Sequence, residues 1–295
     1  MPTLIGTNPM TVAAAVTQYR DEFIASFEDR SSVLRSTCTT EAIVKGLIAT
    51  FLVSGSNNED ADTRGVDGMI PANAPTNTQT ACTLQEFHRL ERMTNFNIFA
   101  SQGNQRRVMQ MNAMAVINRK MDSQIITELG TATNDTSTAQ VATLDLIVKA
   151  RTILGNNYVD LTDESNLFGL ITPAFDGYLL QIPEYSRADY VEVKPLVGPA
   201  RKFRRWAGFN WIVHPRLEGS VGANSSNTGA NEFCYVYHRN AIGHAADTAG
   251  LDVDGGYDRE QAYSWARCSG HMNAKLLQNS GVVQIKHDGS AYVAA

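Results

Sequence analysis

The sequence predicts a mixed, α+β fold, and three observations support this. Residues 104–129 contain no Pro or Gly and carry apolar side chains at helical spacing. Runs rich in β-branched and aromatic residues, such as EFCYVYH, recur in the second half of the 295-residue chain. Between the first predicted elements lies a long polar segment, Ser54 to Thr83, whose only large apolar side chains are those of Val66, Met69 and Ile70. Connections of such length are uncommon unless they bind something or are disordered.

The composition indicates a globular protein. An apolar content of 43% is enough for one large domain or two ordinary ones. The net charge of -5 and the pI near 5.7 give no overall basic field, so any contact with a polyanion must be local.

Cysteines and termini indicate the compartment. The four cysteines form no C-x-x-C pair and do not suggest a disulfide framework: Cys38, Cys82, Cys234 and Cys268. The N-terminus lacks the basic start and apolar stretch of a signal peptide, and the longest apolar run, Leu47 to Val53, is too short to span a bilayer. We therefore expect synthesis in the cytosol and no membrane partner.

The N-terminal third is predicted to contain two helices and a strand. Thr11 to Arg35 has an amphipathic stripe at helical spacing, formed by Val12, Val16, Tyr19, Phe23 and Phe27. A second short helix is predicted over Thr40 to Val53. After the polar segment, Cys82 to Phe99 mixes β-formers with charge and predicts one long strand.

The clearest helix runs from Asn104 to Leu129, where Gly130 supplies a stop. Its stripe consists of Met114, Ile117, Met121, Ile125 and Leu129. At 1.5 Å per residue the helix would be roughly 39 Å long. Its Met-rich face, comprising Met109, Met111, Met114 and Met121, is interpreted as adaptable core.

The second half is predicted to mix helices and strands. Helices are expected over Leu144 to Asn157 and over AFDGYLLQ, which follows a buried strand at Leu167 to Pro173. Further strands are predicted at Phe209 to Leu217, Glu232 to His238, Gln261 to Asn273 and Gly281 to Gly289. The sequence has no internal repeat and no coiled-coil heptads.

Enzyme signatures such as a nucleophile elbow, a P-loop, H-E-x-x-H or a dinucleotide fingerprint do not occur. Cys234, His238 and His244 suit zinc by residue type, but their spacing fits no standard site, and a strand passing into a helix would separate them. The sequence therefore favours no catalytic, cofactor or metal residues.

Two charged segments have competing interpretations. DVDGGYDRE offers Asp252, Asp254 and Asp258 to a hard cation, but it lacks the register of a calcium loop and also fits an ordinary acidic turn. ARKFRRWAGF carries four basic residues beside Trp206 that could bind phosphates or form a salt-bridged contact between subunits: Arg201, Lys202, Arg204 and Arg205.

Several segments together resemble one family. NRKMDSQIITEL closes the long helix as in the spine helix of tailed-bacteriophage major capsid proteins, the Hong Kong 97-like family. WAGFNWIVHPRLEG resembles that family's strand ending in a proline-containing loop, and YHRNAIGHAAD is similar to its strand-to-helix step. SWARCSGHMNAKLLQNSGVVQIKHD resembles its closing strands. The order and separation of these segments match over roughly residues 60 to 295.

The resemblance implies four structural parts. Residues 1–45 would form an N-terminal arm and 46–100 an extended β-hairpin arm that lies across neighbouring subunits. A peripheral domain with the spine helix would comprise 101–143 and 257–295, and an axial domain 144–256. Val66, Met69 and Ile70 would anchor the extended arm on an adjacent copy.

Two departures from the family narrow the expected mechanism. Some relatives link their shells through an isopeptide bond from a lysine in the extended arm, but no lysine occurs between Lys45 and Lys120. Some carry a long charged leader that acts as an internal scaffold, whereas only a short arm precedes the hairpin here. The resemblance thus implies noncovalent stability, a separate scaffolding protein and a cement protein as an optional addition.

The leading expectation is a structural major capsid protein, not an enzyme, that forms hexamers and pentamers of an icosahedral phage head. It would work with a portal, contact packaged double-stranded DNA non-specifically, reside in the virion capsid and be assembled in the host bacterial cytoplasm. An encapsulin-like nanocompartment shell is the close alternative. An enzyme with a long active-site loop is a third, and its candidate residues would be Asp60, Asp62, Arg64, Asp67 and His88.

Overall fold

A computed structural model of the chain describes residues 31–43, 46–55, 60–70, 74–100, 104–186, 204–248 and 250–292. The strands in these ranges are β1 Thr39–Ile43, β2 Ile48–Gly55, β3 Thr76–Thr83, β4 Gln85–Thr94, β5 Leu167–Ile171, β6 Arg204–Trp206, β7 Phe209–Val213, β8 Glu232–His238, β9 Ile242–Asp247, β10 Asp252–Asp258, β11 Tyr263–Leu276 and β12 Val282–His287. The helices are α1 Asn95–Ala100, α2 Gln105–Leu129, α3 Leu144–Asn156, α4 Pro173–Leu179 and α5 Pro183–Ser186. The predicted α+β class is confirmed.

The first of two five-stranded sheets is organised around β11. Its order is β1-β9-β11-β10, and β4 pairs with β11 as well. β11 pairs antiparallel with β4 from Tyr263 to Met272, with β10 over its first half and with β9 over its last five residues. β1 joins the edge of β9 in parallel. The 14-residue strand β11 therefore holds three other strands in register.

The second sheet has the order β12-β8-β5-β7-β6. β5 runs parallel to β7, and its five residues are all buried. Apolar residues of this sheet and of α3 form the largest core cluster, which includes Ile147, Leu154, Leu170, Tyr235 and Val283. The sequence LFGLI, apolar throughout, is what a strand covered on both faces requires.

Helix α2 joins the two sheets. Asn104 caps its start by accepting a hydrogen bond from the backbone N–H of Arg107 at 3.2 Å. Ala113, Ile117 and Met121 pack on Ala246, Cys268 and Met272 of the first sheet. Its last turns contribute Ile125, Ile126 and Leu129 to the core of the second sheet. The helix predicted over 104–129 is thus confirmed, and it is the shared wall of both cores.

Three predicted elements are wrong. The short helix expected over Thr40 to Val53 is instead β1 and β2, with Gly46 between them at φ 135°. The single strand expected over Cys82 to Phe99 is the end of β3, then β4, then α1. The helix expected after Tyr237 is only a 3-10 turn, Arg239–Ala241, that leads directly into β9.

The other predictions have mixed outcomes. The strand predicted to reach Leu217 ends at Val213, two residues before Pro215. The helices predicted at 144–157 and after Thr172, and the strands predicted at 167–173, 232–238, 261–273 and 281–289, are confirmed to within a few residues. Most of the amphipathic helix predicted over Thr11 to Arg35 lies outside the described residues, and its last position, Arg35, is in a 3-10 turn.

Candidate functional site

A β-hairpin made of β2 and β3 forms a sheet of its own. The strands pair antiparallel from Ile48 opposite Thr83 to Gly55 opposite Thr76. Their connection includes the described residues 60–70, so the polar segment Ser54 to Thr83 consists of the end of β2, this connection and the whole of β3. We call the hairpin and its connection, residues 48–83, the arm.

The arm is attached to the body at its base. Ala49, Phe51 and Cys82 pack against Ala245 of β9 in a small separate apolar cluster. The ring of Phe51 lies directly on Gly243, where an added Cβ would come within 2.8 Å of a ring carbon. The absence of a side chain on Gly243 therefore creates the seat for Phe51.

Gly243→Val is expected to displace Phe51 and to destabilise the subunit by about 1–3 kcal/mol, the usual cost of overpacking. Thermal unfolding and amide hydrogen exchange over residues 47–55 measure the effect. Gly55→Ala is the matched control because a Cβ there meets no atom within 4 Å. Unchanged exchange in Gly243→Val would contradict the role of this seat.

The tip of the arm is a compact turn. The N–H of Gly65 donates to the carbonyl oxygen of Met69 at 2.9 Å, and the N–H of Gly68 donates to that of Gly65 at 2.9 Å. Asp67 Oδ1 accepts a hydrogen bond from the N–H of Met69 at 3.3 Å. Gly68 has φ 80°, a conformation that favours glycine. The turn is therefore held by its own backbone and needs no other part of the subunit.

This turn displays apolar side chains to solvent. Val66 is fully exposed, and Met69 and Ile70 are 71% and 70% exposed. Leu52, on the outward face of β2, is 73% exposed. Exposed apolar residues are unremarkable singly, but four on one projecting hairpin indicate a surface that another molecule covers.

The residues that an active site on the long loop would require lie in different parts of the structure. Asp67 is engaged in the tip turn, whereas His88 lies on β4. His88 Nδ1 is 2.9 Å from Ser269 Oγ, and its Nε2 is 3.1 Å from a carboxylate oxygen of Glu86. Asp60, Asp62 and Arg64 lie in the connection. The histidine therefore has partners in the first sheet and none of them is an aspartate of the tip.

The zinc candidates do not converge. Cys234 is buried on β8 of the second sheet, His238 ends that strand, and His244 lies on β9 of the first sheet. Burial raises the pKa of the Cys234 thiol to about 12, which disfavours the thiolate that zinc requires. Within the described ranges, no group of three His, Cys, Asp or Glu side chains is arranged to hold a metal ion. All four cysteines are free and buried.

The three aspartates considered for a cation are in strand β10, with separate partners. Asp252 pairs with Arg267 at 3.3 Å. Asp254 accepts a hydrogen bond from the N–H of Gly255. Asp258 accepts hydrogen bonds from the N–H groups of Glu260 and Gln261, which form the turn into β11. The interpretation as ordinary acidic structure fits these contacts.

The basic segment is half described, since Arg201 and Lys202 lie outside the described residues. Arg204 Nη1 contacts both carboxylate oxygens of Asp176, at 2.8 and 3.1 Å. Trp206 is buried, with its ring centroid 5.0 Å from that of Tyr185. Arg205 Nε donates to Asn210 at 3.4 Å. Arg204 therefore forms its ion pair within the subunit, and the salt-bridged contact between subunits stays a prediction.

The Met-rich face of α2 divides in two. Met109 and Met121 are buried, as predicted. Met111 and Met114 are 38% and 40% exposed, so the interpretation of all four as core was wrong for these two. One face of α2, which includes Met111 and Met114, therefore lies at the surface of the subunit.

A buried carboxylate on α2 is the feature that sequence reasoning missed. Asp122 accepts hydrogen bonds from Ser32 Oγ and from the N–H groups of Val33 and Leu34, the latter two at 3.1 and 3.2 Å. His214 Nε2, on the segment after β7, is 3.9 Å from Asp122 Oδ2. Asp122 thus connects the segment before β1, the long helix and the second sheet. The available signal was an acidic residue next to the apolar stripe at Met121.

Burial shifts the pKa of two histidines and of a glutamate beside one of them. Burial lowers the pKa of His244 to about 4, and the nearby charge of Arg35 acts in the same direction. Burial also lowers the pKa of His287, whose Nδ1 lies 3.1 Å from the carbonyl oxygen of Gln140. Burial raises the pKa of Glu232, which Thr172 hydrogen-bonds and which lies 3.8 Å from His287.

The His244 site is expected to make the subunit less stable in mild acid. Because its pKa is lower in the folded than in the unfolded chain, the unfolded chain binds the proton first as the pH falls below about 6.5. The loss attributable to His244 between pH 7 and pH 5 is about 2 kcal/mol. Urea unfolding at both pH values measures it. His244→Leu should reduce the difference; equal pH dependence in wild type and His244→Leu would contradict the assignment.

The described part of the chain contains no helix long and apolar enough to cross a membrane. A long helix shared by two sheets, with a hairpin projecting from the body, is the architecture of phage major capsid subunits of the Hong Kong 97-like fold.

Comparison with solved structures agrees with this fold. The capsid of Ralstonia phage GP4 is similar with a TM-score of 0.69 and 11% identity, and the match covers 100% of both chains. The capsid of a native GTA particle has a TM-score of 0.70 and 10% identity over 93% of this chain and 96% of the other. The SrpI encapsulin of Synechococcus elongatus PCC 7942 has a TM-score of 0.63 and 10% identity over 98% of each chain. No curated protein matches the chain.

A family model described as phage capsid protein matches residues 12–289. The chain therefore belongs to the phage capsid protein family. It is a structural major capsid protein of the virion, as the sequence resemblance implied, and this family has a structural role in the shell.

Proposed function

We propose that this protein forms the hexamers and pentamers of an icosahedral head enclosing double-stranded DNA, with the arm of each subunit seated on a neighbour. One observation carries the proposal: the tip turn exposes Val66, Met69 and Ile70 although it is internally hydrogen-bonded. Burying such a side chain contributes about 1.5–3 kcal/mol. Burial of the apolar tip on another copy would therefore be favourable.

The geometry of the tip favours docking without refolding. The two hydrogen bonds among Gly65, Gly68 and Met69 already fix the turn, so that docking loses little conformational entropy. Weak contacts repeated by every subunit add up to a stable shell. No lysine occurs between Lys45 and Lys120, a range that includes the whole arm. We therefore propose that the contacts of the arm are noncovalent.

The four-part organisation belongs to the same proposal: 1–45 as N-terminal arm, 46–100 as extended arm, 101–143 with 257–295 as peripheral domain, and 144–256 as axial domain. The strand pairing supports a close association of the two domains. β9 and most of β10, from the axial range, pair with β11 of the range 257–295 in the first sheet, and β12 of that same range pairs with β8 in the second.

We also propose the partners of the shell. A separate scaffolding protein would direct assembly, a portal would admit DNA, and a cement protein would strengthen the finished head. A net charge of -5 lets a subunit enclose DNA without a large attractive surface, so the DNA contacts would be few and local. Assembly would take place in the host bacterial cytoplasm.

An encapsulin-like compartment is the second candidate, because the similarity in fold to the SrpI encapsulin spans 98% of this chain. The two candidates differ in contents: a phage head holds DNA, and a nanocompartment holds protein cargo. Neither proposal requires a catalytic group in this chain.

Expression of the chain alone and together with its neighbouring phage genes tests the proposal. Electron microscopy and light scattering are expected to show closed shells, or hexamers and pentamers that convert to shells. Nuclease-protected DNA in particles from infected cells would support the head, and protein cargo without DNA would support the compartment. A monodisperse monomer or dimer under every condition would contradict both.

A further inference from the structure

A polar cavity of about 480 Å³ lies where the segment before β1 crosses α2. Residues 31–40 form one wall, α2 contributes Asn118 and Met121, and Arg239 closes the side at the turn after β8. The hydroxyl groups of Ser31, Ser36 and Thr40 line the first wall. Polar donors therefore surround this space from three elements that are distant in sequence.

Two guanidinium groups make the cavity basic. Arg35 and Arg239 both line it and are exposed at its mouth. Arg239 Nη2 donates to the carbonyl oxygen of Ser36 at 3.0 Å, which leaves its other donors available. For Arg35, no side-chain hydrogen bond or ion pair with another described residue is formed.

Among the described residues that line the cavity, none carries a carboxylate that could offset these charges. The carboxylate that touches the lining residues is that of Asp122, which Ser32 contacts. Its oxygens already accept hydrogen bonds from Ser32, Val33 and Leu34. The charge balance on the lining, two arginines and no carboxylate side chain, favours an anionic ligand.

A buried imidazole without a hydrogen-bond partner among the described residues lies on the cavity side of the first sheet. His244 is fully buried, and neither ring nitrogen has a hydrogen-bond partner among the described residues. Its Cα pairs with that of Thr40, so both side chains lie on the same face of the first sheet. Ala246, two residues along β9 and therefore on that face, packs against Met121 of α2. His244 thus lies on the side of the sheet that bounds the cavity.

We propose that this cavity binds a phosphate group, with Arg35 and Arg239 as its cationic partners and the hydroxyls of Ser31 and Thr40 as further donors. His244 is buried in the sheet on the same side and does not itself line the cavity. A phosphate has oxygens in four directions and suits donors that converge from several walls, whereas a carboxylate is planar and uses two oxygens. The phosphate comes either from free phosphate or from the backbone of DNA; only the second source depends on the proposed function.

Binding to the full chain tests the site with two probes. Inorganic phosphate is titrated by calorimetry, and a fluorescent 20-base-pair duplex by anisotropy, both in a phosphate-free buffer of low ionic strength. Arg35→Gln and Arg239→Gln are each expected to weaken binding by about tenfold, the effect of losing one charge-assisted contact. Arg259→Gln, an exposed arginine on the turn after β10, is the control with the same change of charge.

The outcomes separate the two sources. If both cavity variants weaken the binding of inorganic phosphate, the cavity is a site for free phosphate. If both variants weaken the binding of the duplex, and their duplex binding depends less on salt than that of the wild type, the cavity contacts the DNA backbone. No binding of either probe, or equal weakening by Arg259→Gln, would overturn the proposal. Electron microscopy of the wild type tests the proposed function separately: failure of the wild type to form particles would count against that function, while the titration with inorganic phosphate would still test this site.

Discussion

Replacing Val66, Met69 and Ile70 together with serine is expected to abolish particle formation while leaving subunit stability nearly unchanged. In the single subunit these side chains are exposed, and surface substitutions usually change stability by less than about 0.5 kcal/mol. In a shell each substitution would remove about 1.5–3 kcal/mol of favourable burial free energy. Together the three substitutions would lower the association constant by at least about a thousandfold. Thermal unfolding and the yield of particles by sedimentation measure the two effects.

The matched control replaces the same residues with other apolar side chains, as Val66→Ile, Met69→Leu and Ile70→Val. This variant should assemble, because apolar area is conserved. If the serine variant assembled with a normal yield, the tip would not be an assembly contact. If it melted well below the wild type, the tip would instead be part of the subunit core.

Asp122→Ala is expected to have the largest effect on the subunit itself, a loss of about 3–5 kcal/mol of folding free energy. The change would remove the acceptor of three hydrogen bonds and leave two backbone N–H groups without partners, that of Leu34 buried and that of Val33 part-buried. Chemical denaturation measures the loss, and hydrogen exchange should locate it in residues 31–43. Asp122→Asn keeps one acceptor oxygen and should lose less.

Asp145→Ala is the control for Asp122, since this exposed carboxylate lies in the first turn of α3 and has only a small effect through the helix dipole. If Asp122→Ala raised exchange uniformly, or lowered stability no more than Asp145→Ala, the buried carboxylate would not be holding the N-terminal segment on the helix.

The sequence predicts those elements whose pattern is local. Helix α2 follows from an uninterrupted run with apolar residues at steps of three and four, and β5 from an apolar run before Pro173. β1 and β2 were missed because their partners, β9 and β3, are remote in sequence, and the periodicity of residues 40–53 does not contain that information. Tertiary pairing decided their conformation.

The same limit applies to the candidate sites. The three apolar tip residues could be singled out because they interrupt a polar segment, and the structure shows that they are exposed. By contrast, the position of His244 beside Thr40 depends on the register of β1 with β9. Likewise, the partner of Arg204, Asp176, lies on a different element. Contacts made by long-range pairing cannot be found from spacing along the chain.

The central position of β11 determines when this protein can fold during its synthesis. Among the described strands, β4 and β10 pair only with β11, so a growing chain that ends before Tyr263 leaves both without a ladder. β12 follows β11 in the chain and completes the second sheet on β8. The first sheet can therefore close only after β11 has been synthesised, and the second only after β12.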